Sequence, residues 1–316
     1  MTTAVARTTE GWWVVSNGQA NLVATDAATT RDLLADRAAI DAATRSGMTT
    51  VALADLELLS PVTAPCRVVA QLANYRSHAQ ESGLDPATLL PTFFRKSSAS
   101  ITGPTADIVK PAHVRLLDYE IELGLVIGAP MSIGTRVTDA DLPDLVAGIV
   151  VTNDVSARDV QLSKGQFFES KSYPTFTPVG PLLVLLDRED FVRLPNLRLQ
   201  LSVNGVLRQD RSLTDMIVGP AQALSILSGF QPLEPGDLLL TGTPGGTALK
   251  APPKIVEKAA ALLPPAIKWR IFFDKQAKVD AYLKAGDVIT ARVSSSDGAF
   301  DLGTQRSTVA DGPRAD

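Results

Sequence analysis

The sequence predicts an α+β chain in which strands predominate, with a small N-terminal α+β unit ahead of a larger β-rich region. Three observations lead there. Asn17-Gly18, a two-residue turn signal, sits between the apolar runs Gly11–Val15 and Ala20–Ala24. Short apolar runs bounded by turn residues recur at 121–127, 147–153, 182–186 and 197–203. A Gly-Asp turn feeds a strand twice, at Gly236-Asp237 and at Gly286-Asp287.

In chain order, residues 11–24 read as a hairpin. Thr29 or Thr30 caps a helix running to about Arg45, with Leu33, Leu34, Ala38 and Ile40 on its apolar side and Gly47 ending it. Ser60-Pro61-Val62-Thr63-Ala64-Pro65 then punctuates the chain, so the small unit is placed at 1–65 and the larger region at 66–316. Arg67–Leu72 is a short strand leading into the polar segment 74–83, a loop or one or two helical turns. If helical, His78 and Glu81 share a face, where the carboxylate can hold the imidazole; the plainer reading is a surface pair. The second histidine, His113, reads as a loop residue.

Ile121–Ile127 reads as a mostly buried strand, stopped by Gly128-Ala129-Pro130. Side chains at i and i+2 of a strand point the same way, so Glu120 and Glu122 project side by side. Two readings stand at this point. Either a divalent cation with hard oxygen ligands sits between the carboxylates, or the strand lies on an edge with both in water. Ala147–Asn153 is a second apolar strand that breaks at Asp154, a place for a ligand or an N-cap, and Ser156 or Asp154 can cap a short helix. The rest is loop to Lys171, a strand at 182–186, a strand 197–203 turning at Asn204-Gly205, and a helix over 220–228. From Ala248 to Tyr282 runs a segment with an amphipathic helix at about 255–263 and an aromatic cluster at Trp269, Phe272 and Phe273. The end is expected to fray from about Asp311.

Composition removes some classes. The 316 residues carry a formal charge of −4 from well-mixed residues, which argues against a nucleic-acid partner. Cys66 is the single cysteine, so there is no intramolecular disulfide and no cysteine-based zinc cluster. No signal peptide is apparent, and apolar runs such as Pro181–Leu186 are too short to span a bilayer. The expectation is a soluble, cytoplasmic protein without a membrane partner. Thr241–Gly246 is glycine-rich but lacks the Lys-Ser/Thr of a phosphate loop. No nucleophile elbow or dinucleotide fingerprint is present, which leaves metal-assisted chemistry.

Taken together, the segments resemble the fumarylacetoacetate hydrolase family. The matches are Asn74-Tyr75-x-x-His78-x-x-Glu81, Phe94-x-Lys96, Asp118-Tyr119-Glu120-x-Glu122-Leu123, Asn153-Asp154 through Arg158-Asp159-x-Gln161, Lys171-Ser172, Pro178-x-Gly180-Pro181, Val203-Asn204-Gly205, Pro235-Gly236-Asp237 and Thr241-Gly242-Thr243-Pro244. They run in the family's order over about 65–247 and resume at Gly286-Asp287. Two departures stand out: Leu72-Ala73 and Ser170 occupy places where the family usually has glycine. The segment at about 248–282 is longer than the family's usual connection.

The resemblance implies a mixed β-sandwich roll and a homodimer, with Mg²⁺ or Mn²⁺ bound (Ca²⁺ as a substitute in vitro). By position, Glu120, Glu122 and Asp154 are the implied metal ligands, and His78, Glu81 and Lys171 the implied catalytic residues. Tyr75, Arg158, Gln161 and Thr243 are implied to face the substrate, a small-molecule keto acid or diketone. The chemistry then expected is C–C bond hydrolysis of an acylpyruvate-like or 1,3-diketo acid through a metal-chelated enolate. His78, oriented by Glu81, would activate water, while Lys171 and Gln161 would meet the developing oxyanion. The alternative is a 2-oxo acid decarboxylase, isomerase or hydratase at the same metal; a third reading is a non-catalytic binding protein.

Overall fold

The computed structural model describes residues 2–45, 50–251 and 264–313. Ten strands form one sheet in the order Val51–Ala52, Gln19–Leu22, Trp12–Ser16, Thr3–Arg7, Leu183–Leu185, Val146–Asn153, Ile121–Ile127, Leu238–Leu240, Val68–Gln71 and Phe93–Lys96. A five-stranded sheet runs Val206–Ser212, Leu197–Val203, Val288–Ser295, Asp301–Asp311 and Ile108–Lys110. Side chains such as Leu199, Leu201, Val293 and Leu302 from the small sheet meet Ile121, Leu123 and Leu125 from the large one in a single core. Burying strands on both faces in this way requires apolar residues at nearly every position, and the segments 121–127 and 146–153 supply them. All seven residues of Ile121–Ile127 are buried and the strand is interior to the sheet, which removes the alternative reading of a solvent-facing edge.

The hairpin at 12–22 forms as expected, turning at Asn17 and Gly18, both with positive φ. Its companion strand Thr3–Arg7 pairs antiparallel with Leu183–Leu185, so the N-terminal segment extends the same large sheet. The single helix expected over 30–45 is two, Thr30–Ala35 and Arg37–Arg45, and its expected end at Gly47 lies outside the described residues. Thr29 caps the first in a reciprocal box with Asp32. The break at Asp36 has a local cause: its carboxylate accepts Thr25 Oγ1 at 2.6 Å and Ala39 N at 3.3 Å, starting a new helix.

The segment 74–83 contains the helix Arg76–Glu81, and Pro220–Ser228 is helical as read. Arg158–Lys164 is helical, but neither Asp154 nor Ser156 caps it: Ser156 Oγ donates to the Asp154 carbonyl instead, at 2.8 Å. The helix expected at 255–263 lies outside the described residues. The aromatic cluster lies on the helix Pro265–Gln276, where Trp269 stacks on Phe273 at 5.4 Å and Phe273 packs against the core. Asp311 is not frayed: it pairs with Lys110 at the end of the last strand. Among the described residues no helix is long and apolar enough to cross a membrane.

Candidate metal centre and active site

The register of two central strands builds the site. Ile121 lies opposite Asn153 and Glu122 opposite Thr152, so the residues just outside the ladder, Glu120 and Asp154, face each other; Asp154 N donates to the Glu120 carbonyl at 2.8 Å. Glu122, two residues along from Glu120, completes a trio. One carboxylate oxygen from each of Glu120, Glu122 and Asp154 lies within 4.8 Å of the others, and all three residues are buried.

Three cations surround them. Lys171 Nζ donates to Glu120 Oε2 at 2.7 Å and to Asp154 Oδ2 at 2.5 Å. Lys96 Nζ donates to Asp154 Oδ1 at 2.5 Å and to the Phe176 carbonyl at 2.8 Å. The Arg158 guanidinium donates to Glu120 Oε1, to Asp118 Oδ2 at 2.9 Å and to Gln161 Oε1 at 2.9 Å. The buried carboxylates Asp118, Glu120, Glu122 and Asp154 therefore outnumber Lys96, Arg158 and Lys171 by one.

The surplus settles on Glu122. Burial, with Asp154 and Glu120 beside it, pushes its carboxyl well above the ordinary range, against the pull of Lys171 and the Gly242 N–H. Burial alone would also raise Glu120, yet Arg158 and Lys171 outweigh it and hold that carboxyl at about 2. Burial lowers Lys171 less than Asp154 and Glu120 raise it, so it stays an ammonium. Burial lowers Lys96 despite Asp154.

These residues fit a divalent cation. Oxygens at 2.0–2.6 Å from one ion lie at most about 5 Å apart, which the trio meets. The donor set is all hard oxygen, and a buried carboxyl whose ionised form lacks a balancing charge is the group that such an ion would let ionise.

A narrow cavity opens on two of the trio, Glu120 and Glu122, and is lined besides by Gln71, Leu72, Ala73, His78, Phe94, Arg158, Gln161, Lys171 and Thr243. His78 thus meets the carboxylates, as the sequence suggests, and burial keeps its imidazole neutral by lowering its pKa. The expected His78–Glu81 pair does not form. His78 Nδ1 has no hydrogen-bond partner among the described residues, while Glu81 accepts Gly246 N at 2.8 Å and pairs with Lys250 at 3.1 Å. Helical spacing brings residues 78 and 81 to one face, but the glycine-rich turn competes for the carboxylate and wins. Tyr75 is not on the cavity wall; it is fully buried in the core beside Glu122, whose charge adds to burial in raising its pKa. Thr243 is on the wall, but its hydroxyl is engaged, donating to the Ile121 carbonyl at 2.9 Å and accepting from Gln209 at 2.8 Å. Arg158 braces Glu120 and Gln161 rather than standing free.

Lys96 is a site residue that the sequence pattern does not single out beyond Phe94-x-Lys96, since a lysine in a short strand gives no sign that it will be buried against Asp154. Phe94 is the floor under Lys171, whose ammonium sits 5.1 Å from its ring centre, and Phe167 stacks against Phe94. Gly242 binds Glu122 Oε2 through its N–H at 2.6 Å, and its φ of +88° and a Cβ that would approach Asn74 Cβ to 2.8 Å both require glycine there. A larger hollow of about 720 Å³ is lined by Val109, Pro111, His113, Tyr173 and their neighbours. It shares no residue with the carboxylate cavity and has His113 and Tyr173 as its polar side chains, so the smaller cavity is the candidate active site.

The profile described as fumarylacetoacetate (FAA) hydrolase C-terminal matches residues 67–310. A curated relative, the mitochondrial oxaloacetate tautomerase Fahd2a of Rattus norvegicus, is 37% identical over 203 residues, 63% of this chain and 63% of its own length. The match thus spans less than two thirds of that relative. The 2,4-didehydro-3-deoxy-L-rhamnonate hydrolase of a Sphingomonas species is 34% identical over 79% of this chain and 75% of its own. Among solved structures, a probable 2-hydroxyhepta-2,4-diene-1,7-dioate isomerase from Mycobacterium abscessus superposes with a TM-score of 0.75 at 30% identity, covering 99% of this chain and all of that one.

Proposed function

The chain belongs to the fumarylacetoacetate hydrolase family, and we propose that it is a divalent-metal-dependent keto–enol tautomerase or isomerase of a 2-oxo acid. The observation that carries this reading is a neutral imidazole, His78, whose Nδ1 has no partner among the described residues, on the wall of a cavity also lined by Glu120, Glu122 and Lys171, the last of which holds Asp154. Moving a proton at the carbon beside a carbonyl needs one group that takes and returns it and positive charge at the oxygen. It needs no oriented dyad to split water. Mg²⁺ or Mn²⁺, held by Glu120, Glu122 and Asp154, would act as a Lewis acid toward the developing enolate. Lys171, held on Glu120 and Asp154 with Phe94 below it, would add positive charge toward the same oxygen. Gln161, with its carbonyl oxygen held by Arg158, has its amide N–H groups left for the substrate. His78 accepts the carbon-bound proton and delivers it back to carbon or oxygen. The oxaloacetate tautomerase relatives support this assignment.

A second reading is hydrolysis of a C–C bond in an acylpyruvate-like or 1,3-diketo acid. It is favoured by the same placement of His78, which could take a proton from water. Hydroxide would then add to the distal carbonyl, and the electron pair of the broken bond would leave on the enolate, which is protonated to the 2-oxo acid. The sugar-acid hydrolase relative supports it. Both readings take a small-molecule keto acid as substrate and include a homodimer, measurable by light scattering.

Product analysis separates them. With Mg²⁺, the tautomerase reading expects the enol absorbance of oxaloacetate to decay faster, with the substrate recovered intact and an acylpyruvate left uncleaved. Cleavage of the acylpyruvate to pyruvate and a carboxylic acid establishes the hydrolase instead; pyruvate and CO₂ from oxaloacetate would mark a decarboxylase. Unchanged turnover in His78→Ala would remove His78 from either scheme.

A further inference from the structure

The stretch 246–251 runs as a strap between two walls of the site. On one side it grips the helix that carries His78: Gly246 N donates to Glu81 Oε2 at 2.8 Å, Lys250 pairs with Glu81 Oε1 at 3.1 Å, and Ala251 N donates to the Glu81 carbonyl at 3.0 Å. On the other side Ala248 N and Leu249 N donate to the Asp118 carboxylate at 2.8 and 3.1 Å. Asp118 has no exposed surface, and its remaining bonds come from Tyr119 N at 2.9 Å and Arg158 Nε at 2.9 Å. The far root of the long segment lands on the adjoining residue, where Leu283 N donates to the Leu117 carbonyl at 2.8 Å. Arg158 is fastened to the same place by its backbone, donating to the Leu116 carbonyl at 2.9 Å.

We propose that Asp118 is a positioning residue that registers the strap 246–251 against Arg158 and, through that guanidinium, sets how tightly Glu120 is held. One guanidinium is shared between two buried carboxylates. With Asp118 in place, part of the Arg158 charge is spent on Asp118, and Glu120 is freer to give an oxygen to a cation. Without it, Arg158 turns wholly to Glu120 and competes with any ion there. The strap supplies two of the four donors that fix Asp118, so its seating and the state of Glu120 are linked. Linkage is reciprocal: cation binding at the trio stabilises the strap to the extent that the strap favours binding. The proposal rests on the metal reading of the trio, and not on the identity of the substrate.

The test uses the whole chain with Mn²⁺ alone as probe, its affinity read from the free-ion electron paramagnetic resonance signal and its effect from amide hydrogen exchange. In the wild type, Mn²⁺ is expected to slow exchange over 246–251. Asp118→Asn keeps the shape but loses the charge and two acceptor positions; it should weaken Mn²⁺ binding about tenfold and speed exchange in both 246–251 and the helix Arg158–Lys164. Leu249→Pro removes one strap donor and alters no side chain of the site, so it should act in the same direction by about threefold. If both variants loosen the strap while Mn²⁺ affinity and exchange over 158–164 stay at wild-type values, Asp118 is an anchor for the strap and nothing more. Should the wild type not bind Mn²⁺, the metal reading fails by itself. Exchange over 158–164 in Leu249→Pro then decides: acceleration there upholds the positioning role, and wild-type protection ends it.

Discussion

Glu122 and Glu120 lie two residues apart on the same strand with opposite electrostatics. Arg158 and Lys171 contact Glu120 directly, whereas among the described residues no cation donates a hydrogen bond to Glu122, which accepts the Gly242 N–H. The sign of each contribution to stability follows. Glu120 is held low in the fold, so its stabilisation is complete above the ordinary carboxylate range and is lost as pH falls toward 2. Glu122 is held high, so its contribution is complete below that range and is lost as pH rises through its raised value. Glu122→Gln removes the second effect. Without divalent ions at pH 7, the variant should be more stable than wild type by roughly 1–3 kcal/mol, with the difference vanishing near pH 4. Added Mn²⁺ should stabilise the wild type and not the variant. Denaturant titrations at several pH values measure both. A variant less stable than wild type at pH 7 would mean that the Glu122 carboxylate already has a balancing charge.

The helix Arg76–Glu81 carries His78 and is pinned at both ends. Ser77 binds Asp215 and Gly245 N near its start, and Glu81 holds Gly246 N at its end. Glu81 therefore fixes the helix rather than the imidazole. Glu81→Gln retains an oxygen for Gly246 N and loses only the pair with a half-exposed lysine, a contact worth under about 1 kcal/mol. Activity should stay within about threefold of wild type. A fall of about a hundredfold in kcat, the size of a lost general-base contribution, would show that Glu81 orients His78 during turnover. This is also where sequence reading reaches its limit. The strand 121–127, the hairpin at Asn17-Gly18 and the side-by-side glutamates follow from period-two patterning and turn chemistry, which are local. The pairing of Asp154 with Glu120 needs the register of two strands some thirty residues apart, and only the family resemblance suggested it. The diversion of Glu81 to Gly246 and the burial of Lys96 depend on segments far away in sequence, for which spacing carries no signal. The helix over 30–45 was divided by one aspartate whose carboxylate found Thr25.

For the molecule as a whole, the site lies where the large sheet is most deeply covered. The strands 121–127 and 146–153 are central in that sheet, with the small sheet against one face and the helix-bearing N-terminal segment against the other. Depth is what gives the carboxylates their chemistry: at a surface, water would screen the same three groups, and neither the raised Glu122 nor the neutral His78 would follow. It also makes the site expensive to build. Three cations are buried with four carboxylates, and each ion leaves water only because geometry supplies a partner. Such an arrangement is a poor way to gain stability and a good way to hold charge ready for the ion and the enolate of the proposed reaction.

In the proposed function, this trio works through a divalent ion on the enol of a 2-oxo acid. The most direct measurement is the decay of the oxaloacetate enol absorbance with the purified chain, first in chelator and then with Mg²⁺ or Mn²⁺ restored, beside Glu122→Ala treated in the same way. Catalysed decay is expected only in the wild type and only with the ion present. Equal catalysis in chelator, or in Glu122→Ala, would contradict it.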